Sequence, residues 1–380
     1  MRDESAVKSE KSKVKSTSEL STFHSSLITS NPMTHQLERI GILTGGGDCP
    51  GINAVLRAVV RRALLDQVTV LGVKNGWLGL IENEIEPLTR QSVLGILPRG
   101  GTIIGTSRVN PLETPERLQK LREHWAQHGL NALIVVGGEG TLRAASRLHQ
   151  EEGFPIVGVP KTIDNDLGGT DYTIGLDTAI SVVVDAIDRL HSTAESHHRV
   201  MVLEVMGRHS GWIAACGGIA GGADMALVPE VPFRLSRVCE ILRQRKASGR
   251  PFSIVVVAED AKPHPEEDFL TQDQRHTIYR HERLGGIGQI LAAQIERHTG
   301  IEARVAVLGY MQRGGSPTAF DRILATRLGL KAYEMAQAGQ YGQMAAIKGL
   351  LTTSVPLSEA VAEIKPIEPE IYRAAEVFFG

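Results

Sequence analysis

Lys161, Thr162, Asp164 and Asp166 fall within six residues, Lys161-Thr162-Ile163-Asp164-Asn165-Asp166. A lysine can pair with a phosphate. One carboxylate can take a proton from an attacking hydroxyl, and another can hold Mg²⁺. Those are the parts that phosphoryl transfer needs. Asp and Asn also cap plain turns, and spacing alone does not say which Asp is the base and which supports the metal. The apolar segment Ile156-Val157-Gly158-Val159 runs straight into the cluster, which places it at the end of a buried strand. So dense a polar group at a strand end argues for a site over a simple turn.

Two glycine loops have the same setting. The run Ile40–Thr44 leads into Gly45-Gly46-Gly47-Asp48-Cys49-Pro50-Gly51 and then a helical pattern. The free N–H groups and dipole of a helix N-terminus favour a phosphate there. The loop is not a Walker loop and lacks the dinucleotide fingerprint spacing, so alone it reads equally well as a tight turn. Ala132–Val136 leads into Gly137-Gly138-Glu139-Gly140-Thr141. There Glu139 can serve Mg²⁺, and Thr141 can cap the helix and touch a phosphate. Together the two loops favour a nucleotide or polyphosphate. A third glycine stretch, Arg99 to Arg108, ends in an arginine that could bridge donor and acceptor phosphates.

Other strand ends add cations. Val200–Val205 ends in Met206-Gly207-Arg208-His209-Ser210-Gly211-Trp212, and Ser253–Ala258 leads to Glu259, a possible hydroxyl acceptor for a sugar. Arg304–Leu308 leads to Gly309-Tyr310-Met311-Gln312-Arg313-Gly314-Gly315-Ser316-Pro317. A phosphorylated substrate would explain Arg208, Arg304 and Arg313 together.

The elements that must position these residues follow from the pattern. Apolar runs at Ile40–Thr44, Val68–Val73, Ala132–Val136, Ile156–Val159, Val200–Val205, Ser253–Ala258 and Arg304–Leu308 read as strands. Amphipathic stretches at Ile52–Leu65, Thr141–Gln150, Leu176–Ser192, Leu235–Lys246, Ile287–His298 and Phe320–Ala338 read as helices. Strands alternating with helices predict an α/β fold with largely parallel sheets, whose ligands bind beyond the carboxyl ends of the strands. The chain has 380 residues, 42% of them hydrophobic, which suits a globular protein of two domains. A net charge of -2 gives no electrostatic case for nucleic acid or a membrane surface, and no apolar run is long enough to span a bilayer. Cys49, Cys216 and Cys239 lie far apart, in neither a metal-ligand nor a disulfide pattern, so a reducing cytoplasm is the expected compartment. Residues 1–37 are polar and charged and read as a disordered tail, without a secretory core; Met33 offers an alternative start.

These motifs, in this order from about Arg39 to about Ala338, resemble the 6-phosphofructokinase family. They are Leu43-Thr44-Gly45-Gly46-Gly47-Asp48, Gly101 to Arg108, Gly137 to Thr141, the Asp164 turn, Met206-Gly207-Arg208 and Gln312 to Pro317. The resemblance implies phosphoryl transfer from ATP to the 1-hydroxyl of fructose 6-phosphate, with Mg²⁺, as a glycolytic step. It implies a donor domain of residues 38–175 plus 312–350 and a sugar-phosphate domain of 176–311 plus 351–380. Asp164 matches the catalytic base, Thr162 a residue at the reacting end of the sugar, and Arg108 the arginine near the transferring group. Gly47, Gly138, Glu139, Gly140 and Thr141 match the donor loops, with Glu139 and Asp166 at the metal; the family more often has Asp at the Glu139 position. Met206, Gly207, Arg208, Glu259 and Arg313 match the sugar-phosphate pocket. Arg199 and Arg304 match arginines that reach it across a subunit interface, which implies a homo-oligomer, dimer or tetramer. Tyr310 stands where many bacterial members have His.

Gly140 and Lys161 bear on the donor. The pyrophosphate-dependent branch typically has Asp at the first position and Lys at the second; this chain pairs Gly with Lys. Gly140 leaves room for a nucleotide α-phosphate, so ATP is expected and pyrophosphate is the alternative. A non-catalytic regulatory subunit is the alternative of another class, and intact Asp164, Arg108 and Arg208 argue against it. Arg57, Arg61 and Arg90 match effector-site arginines of bacterial relatives, whereas His191 and Asp224 replace an arginine and a glutamate of that site.

Overall fold

Alternating apolar runs and amphipathic stretches resolve into two sheets with helices between successive strands. The computed structural model describes residues 37–267 and 286–379; the expected tail, apart from its last residue, lies outside the described residues. In chain order, the first part contains β1 (Arg39–Gly45), α1 (Ile52–Leu65), β2 (Thr69–Val73), α2 (Trp77–Ile81), β3 (Ile85–Leu88), α3 (Pro115–His128), β4 (Ala132–Gly137), α4 (Glu139–Glu152) and β5 (Ile156–Pro160). Then come α5 (Leu176–His197), β6 (Val200–Val205), α6 (Trp212–Gly221), β7 (Met225–Leu227), α7 (Leu235–Ala247), β8 (Ser253–Ala258), α8 (Ile287–Thr299) and β9 (Ala303–Val307). A short 3₁₀ turn at Gly309–Arg313 precedes α9 (Ala319–Gln337), β10 (Gln343–Lys348), β11 (Leu351–Pro356), α10 (Leu357–Ala360) and α11 (Pro369–Glu376).

The larger sheet has the order β11-β10-β5-β4-β1-β2-β3, and the smaller one β7-β8-β6-β9. The smaller sheet is parallel throughout. In the larger sheet β2–β1–β4–β5–β10 run parallel, and only the edge strands β3 and β11 are antiparallel. Strands β4, β5 and β8 are buried along their whole length, as expected for strands covered by helices on both faces. The expected division placed 351–380 with the second domain. Leu351–Pro356 instead pairs with β10 in the larger sheet, because residues 349–350 make a tight antiparallel return. Further along, Lys365 reaches Trp212 of α6, and α11 packs against α6 and β7 of the second sheet's layer.

One buried carboxylate locks α5 to α9. Asp321, in the first turn of α9, accepts from Gly175 N (2.9 Å), Thr178 N (2.9 Å) and Thr178 Oγ1 (2.6 Å) at the start of α5. It satisfies the orphan donors of that helix from outside, which fixes where the chain leaves the carboxylate turn.

Candidate active site

The site forms where β1, β4 and β5 end. At the end of β5, Lys161 turns inward and is almost wholly buried. Its Nζ donates to Gly45 O (2.9 Å) and to Gly47 O. The lysine thus fastens the glycine loop from beneath, and burial pulls its pKa down. Thr141 wedges between the β1 and β4 ends: a Cβ at Gly45 or Gly137 would lie 2.6 or 2.5 Å from its side chain. These glycines let the two loops close over the threonine.

The next residues form the carboxylate turn. Thr162 Oγ1 accepts from Asp164 N (3.1 Å) and donates to Asp164 Oδ2 (3.3 Å). Asn165 takes a left-handed backbone (φ 51°) and ties the turn to Asp171 O and Thr173 N. Asp164 is buried, and its Oδ1 meets no donor; Asp166 Oδ1 is buried and equally unpartnered. Burial raises the pKa of Asp164, opposed by the positive charges of Arg313 and Arg208. Burial, reinforced by the Asp164 charge, pushes Asp166 up to about 6. Two carboxylate oxygens without partners, facing two guanidinium groups, are a costly arrangement unless a ligand completes it.

Arg313 reaches from the 3₁₀ turn after β9 to the first glycine loop. Its Nη1 donates to Asp48 O (3.3 Å), and a Cβ at Gly47 would lie 2.7 Å from that nitrogen, so Gly47 admits the guanidinium. At the end of β6, Gly207 (φ 144°) and Arg208 (φ 48°) bend the chain sharply, and Arg208 N donates to Glu259 Oε1 (3.0 Å). Burial raises the Glu259 pKa. Next to this pair, His209 Nδ1 bonds Asp260 Oδ2 (2.7 Å). This second brace on the same loop had no readable sequence signal, because His209 and Asp260 are 51 residues apart.

The stretch ending in Arg108 docks on the first glycine loop. Gly46 N donates to Ser107 O (2.9 Å), Thr106 Oγ1 donates to Gly46 O (2.7 Å), and Arg108 itself is exposed. Asn53 of α1 braces the other end through Arg99 O, Gly100 O and Ile103 N. At the second loop, Glu139 is ion-paired with Arg143, one turn along α4. A Cβ at Gly140 would meet nothing within 4 Å, and Gly138 lies against Lys161 O and Thr162. Met206 is partly buried against the core.

Two of the expected residues stand apart within one chain. Arg199 and Arg304 precede β6 and open β9, at the amino ends of strands whose carboxyl ends lead to the site. Both hold Glu302: Arg199 Nε lies 2.8 Å from its Oε2, and Arg304 pairs with its Oε1. A six-residue strand spans about 20 Å, so neither reaches Asp164 in its own chain. Tyr310 projects into solvent, 78% exposed, beside exposed Met311 and Val307. Of the effector-site expectations, His191 and Asp224 line a cavity of about 400 Å³ together with Arg245 and Arg250. Asp224 is already committed there to Arg245 and Ile254 N. Arg57, Arg61 and Arg90 are not among the residues lining it.

Residues 39–336 match the phosphofructokinase family model. The chain belongs to the phosphofructokinase family. It is 51% identical over 344 residues to a pyrophosphate–fructose 6-phosphate 1-phosphotransferase of Streptomyces coelicolor, covering 90% of this chain and 100% of that protein. It is 48% identical over 340 residues to ATP-dependent 6-phosphofructokinase 3 of the same organism, covering 89% and 99%. Among solved structures, a phosphofructokinase of Saccharomyces cerevisiae superposes with a TM-score of 0.74 at 30% identity. That alignment covers 90% of this chain and 47% of the yeast chain, so this phosphofructokinase spans about half of that longer relative. Relatives named for either donor are similarly close, so overall identity does not discriminate between donors.

Proposed function

We propose that this phosphofructokinase transfers the γ-phosphoryl group of ATP to the 1-hydroxyl of fructose 6-phosphate, giving fructose 1,6-bisphosphate and ADP in glycolysis. The observation that carries the reading is Asp164, buried at the loop junction with an oxygen that no protein donor occupies. The attacking hydroxyl gives its proton to that carboxylate, whose raised pKa makes it a stronger base than an exposed aspartate. Thr162 holds the other oxygen and so fixes the direction of the free one. Arg208 and Arg313 receive the sugar phosphate, Met206 and Gly207 shape its pocket, and Glu259 accepts from a sugar hydroxyl. Arg108 neutralises charge that develops on the transferring group.

The residues present fit Mg²⁺. Asp166 has an unpartnered buried oxygen, and Glu139 stands close enough for its charge to raise Asp166. An ion bound by one or two carboxylates and by donor phosphate oxygens needs no larger protein cage. Mg²⁺ there would neutralise the donor phosphates. Gly47, Gly138, Gly140 and Thr141 line the donor side, with the larger sheet as the donor half and the smaller as the sugar-phosphate half. Open space at Gly140 favours ATP over pyrophosphate. Arg199 and Arg304 complete the pocket of a second subunit, so the working form is an oligomer, while Tyr310, in the same turn as Arg313, donates to the sugar phosphate. No helix among the described residues is long and apolar enough to cross a membrane, and a glycolytic role places the enzyme in the cytoplasm.

The test is turnover with ATP and with pyrophosphate, for the natural chain and for Asp164→Ser. ATP is expected to support turnover, and the substitution to lower kcat roughly 10²-fold or more with fructose 6-phosphate binding retained. Turnover with pyrophosphate alone would reassign the donor. A near-normal Asp164→Ser rate would move the base elsewhere, and no turnover with either donor would favour a regulatory subunit.

A further inference from the structure

The family match ends at residue 336, yet the chain beyond it returns to the site. After α10, residues 361–368 run without regular structure beneath the carboxylate turn. Lys365 N donates to Asp166 O (2.9 Å), and Gly168 N donates to Ala360 O (2.9 Å). The Lys365 side chain then enters a gap between two loops. Its Nζ donates to Thr170 O (2.8 Å) and Asp171 O (3.0 Å), on the strand of chain that leaves the carboxylate turn. The same ammonium lies 4.9 Å from the ring centroid of Trp212, the first residue of α6. Trp212 is four residues beyond Arg208 and is 5% exposed. Lys365 makes no ion pair with a carboxylate among the described residues; carbonyl oxygens and an aromatic face hold its charge, both of which attract a cation.

Glu230 repeats the connection. Its Oε1 accepts from Gly211 N (2.9 Å), in the Arg208 loop, and from Ile367 N (2.9 Å), in the C-terminal segment. Two separate side chains therefore tie the same segment to the same loop, and Lys365 ties it to the carboxylate turn as well.

We propose that Lys365 is a positioning residue: it joins the carboxylate turn to the Arg208 loop, so the C-terminal segment helps to set the distance between the base and the sugar-phosphate arginine. The geometry of this joint rests on the loops alone; its catalytic consequence rests on the function proposed above. A lysine suits the place because its compact head can meet two carbonyls and a ring face at once, from a stem long enough to cross the gap. The side chain is half-buried, and that burial lowers its pKa to about 8.

The experiment compares Lys365→Met and Lys365→Arg with the natural chain by amide hydrogen exchange and by steady-state kinetics. Lys365→Met is expected to quicken exchange in both 164–171 and 207–212, and to lower kcat about tenfold with KM for the donor unchanged. Lys365→Arg, which keeps the donors and the charge, should restore most of both. A uniform loss of thermal stability, with exchange in these loops and kcat unaltered, would overturn the proposal. So would faster exchange in only one of the two loops, because the joint would then not connect them. If Lys365→Met does not fold, Lys365→Gln decides by the same criteria. The exchange result stands even for a protein that proves inactive with every donor, so failure of the joint and failure of the proposed reaction are told apart.

Discussion

Asp166 shows what the site costs the fold. Its carboxylate is buried beside Asp164, and its pKa is pushed up to about 6 against an ordinary value near 4. A group raised in this way stabilises the folded state fully only below its unfolded pKa, and that contribution is lost as pH rises through the folded value. At neutral pH without metal, therefore, the ionised Asp166 destabilises the protein. Asp166→Asn removes the charge at nearly constant shape. In EDTA at pH 7.5 the variant should be more stable by about 1–3 kcal/mol, with the difference vanishing below about pH 4 and kcat lost. Urea denaturation across that range checks it, and an unchanged or lower midpoint at pH 7.5 would show that the protein already neutralises the charge. Lys161 is the converse case. From sequence it was a phosphate ligand or a mark of donor choice. In the fold its ammonium is spent on Gly45 and Gly47 carbonyls, so its first task is to hold the glycine loop for either donor.

At the scale of elements, the donor choice proposed above rests on the first turn of α4. Gly140 is the second residue of that helix, where a carboxylate is favourable to the helix dipole and a Cβ meets nothing. Gly140→Asp should therefore fold at least as stably as the natural chain, while kcat/KM for ATP drops about tenfold or more through repulsion of a nucleotide phosphate. Parallel assays with ATP and pyrophosphate measure this; equal ATP efficiency in the variant would show that the open space is not what admits the nucleotide. The elements themselves were legible where apolar residues repeat strongly. Helix α1 was read at its full span, and strands β1, β4, β5, β6 and β8 to within a residue or so at each end. Helix α3 was missed because only Leu121 is buried on it, which leaves almost no apolar stripe to read. Strands β10 and β11 were missed because an antiparallel return at the edge of a parallel sheet breaks the strand–helix alternation that guided the reading. The local motifs of the site were legible because each lies within one loop. The braces between loops, Lys365 to Trp212 and His209 to Asp260, join distant residues of ordinary type and leave no pattern in sequence.

For the whole molecule, the decisive fact is that Arg199 and Arg304 lie at the wrong ends of their strands to serve their own Asp164. Both pair with Glu302, on a chain that also exposes Tyr310, Met311 and Val307. An isologous pair would place each arginine set against the partner's pocket. Base and arginines would then come from different subunits, and they can be inactivated separately. Asp164→Ser and Arg304→Ala homo-oligomers should each be poorly active. Dissociated, mixed in equal amounts and reassembled, they form hybrids in which one site carries both substitutions and its neighbour carries neither. Random pairing makes half of the dimers hybrid, so roughly a quarter of all sites are intact. Activity should recover to about that fraction of the natural enzyme. Mixing that yields no more than the mean of the two parents would place a complete site within one chain, and Arg304 would then serve only to hold Glu302.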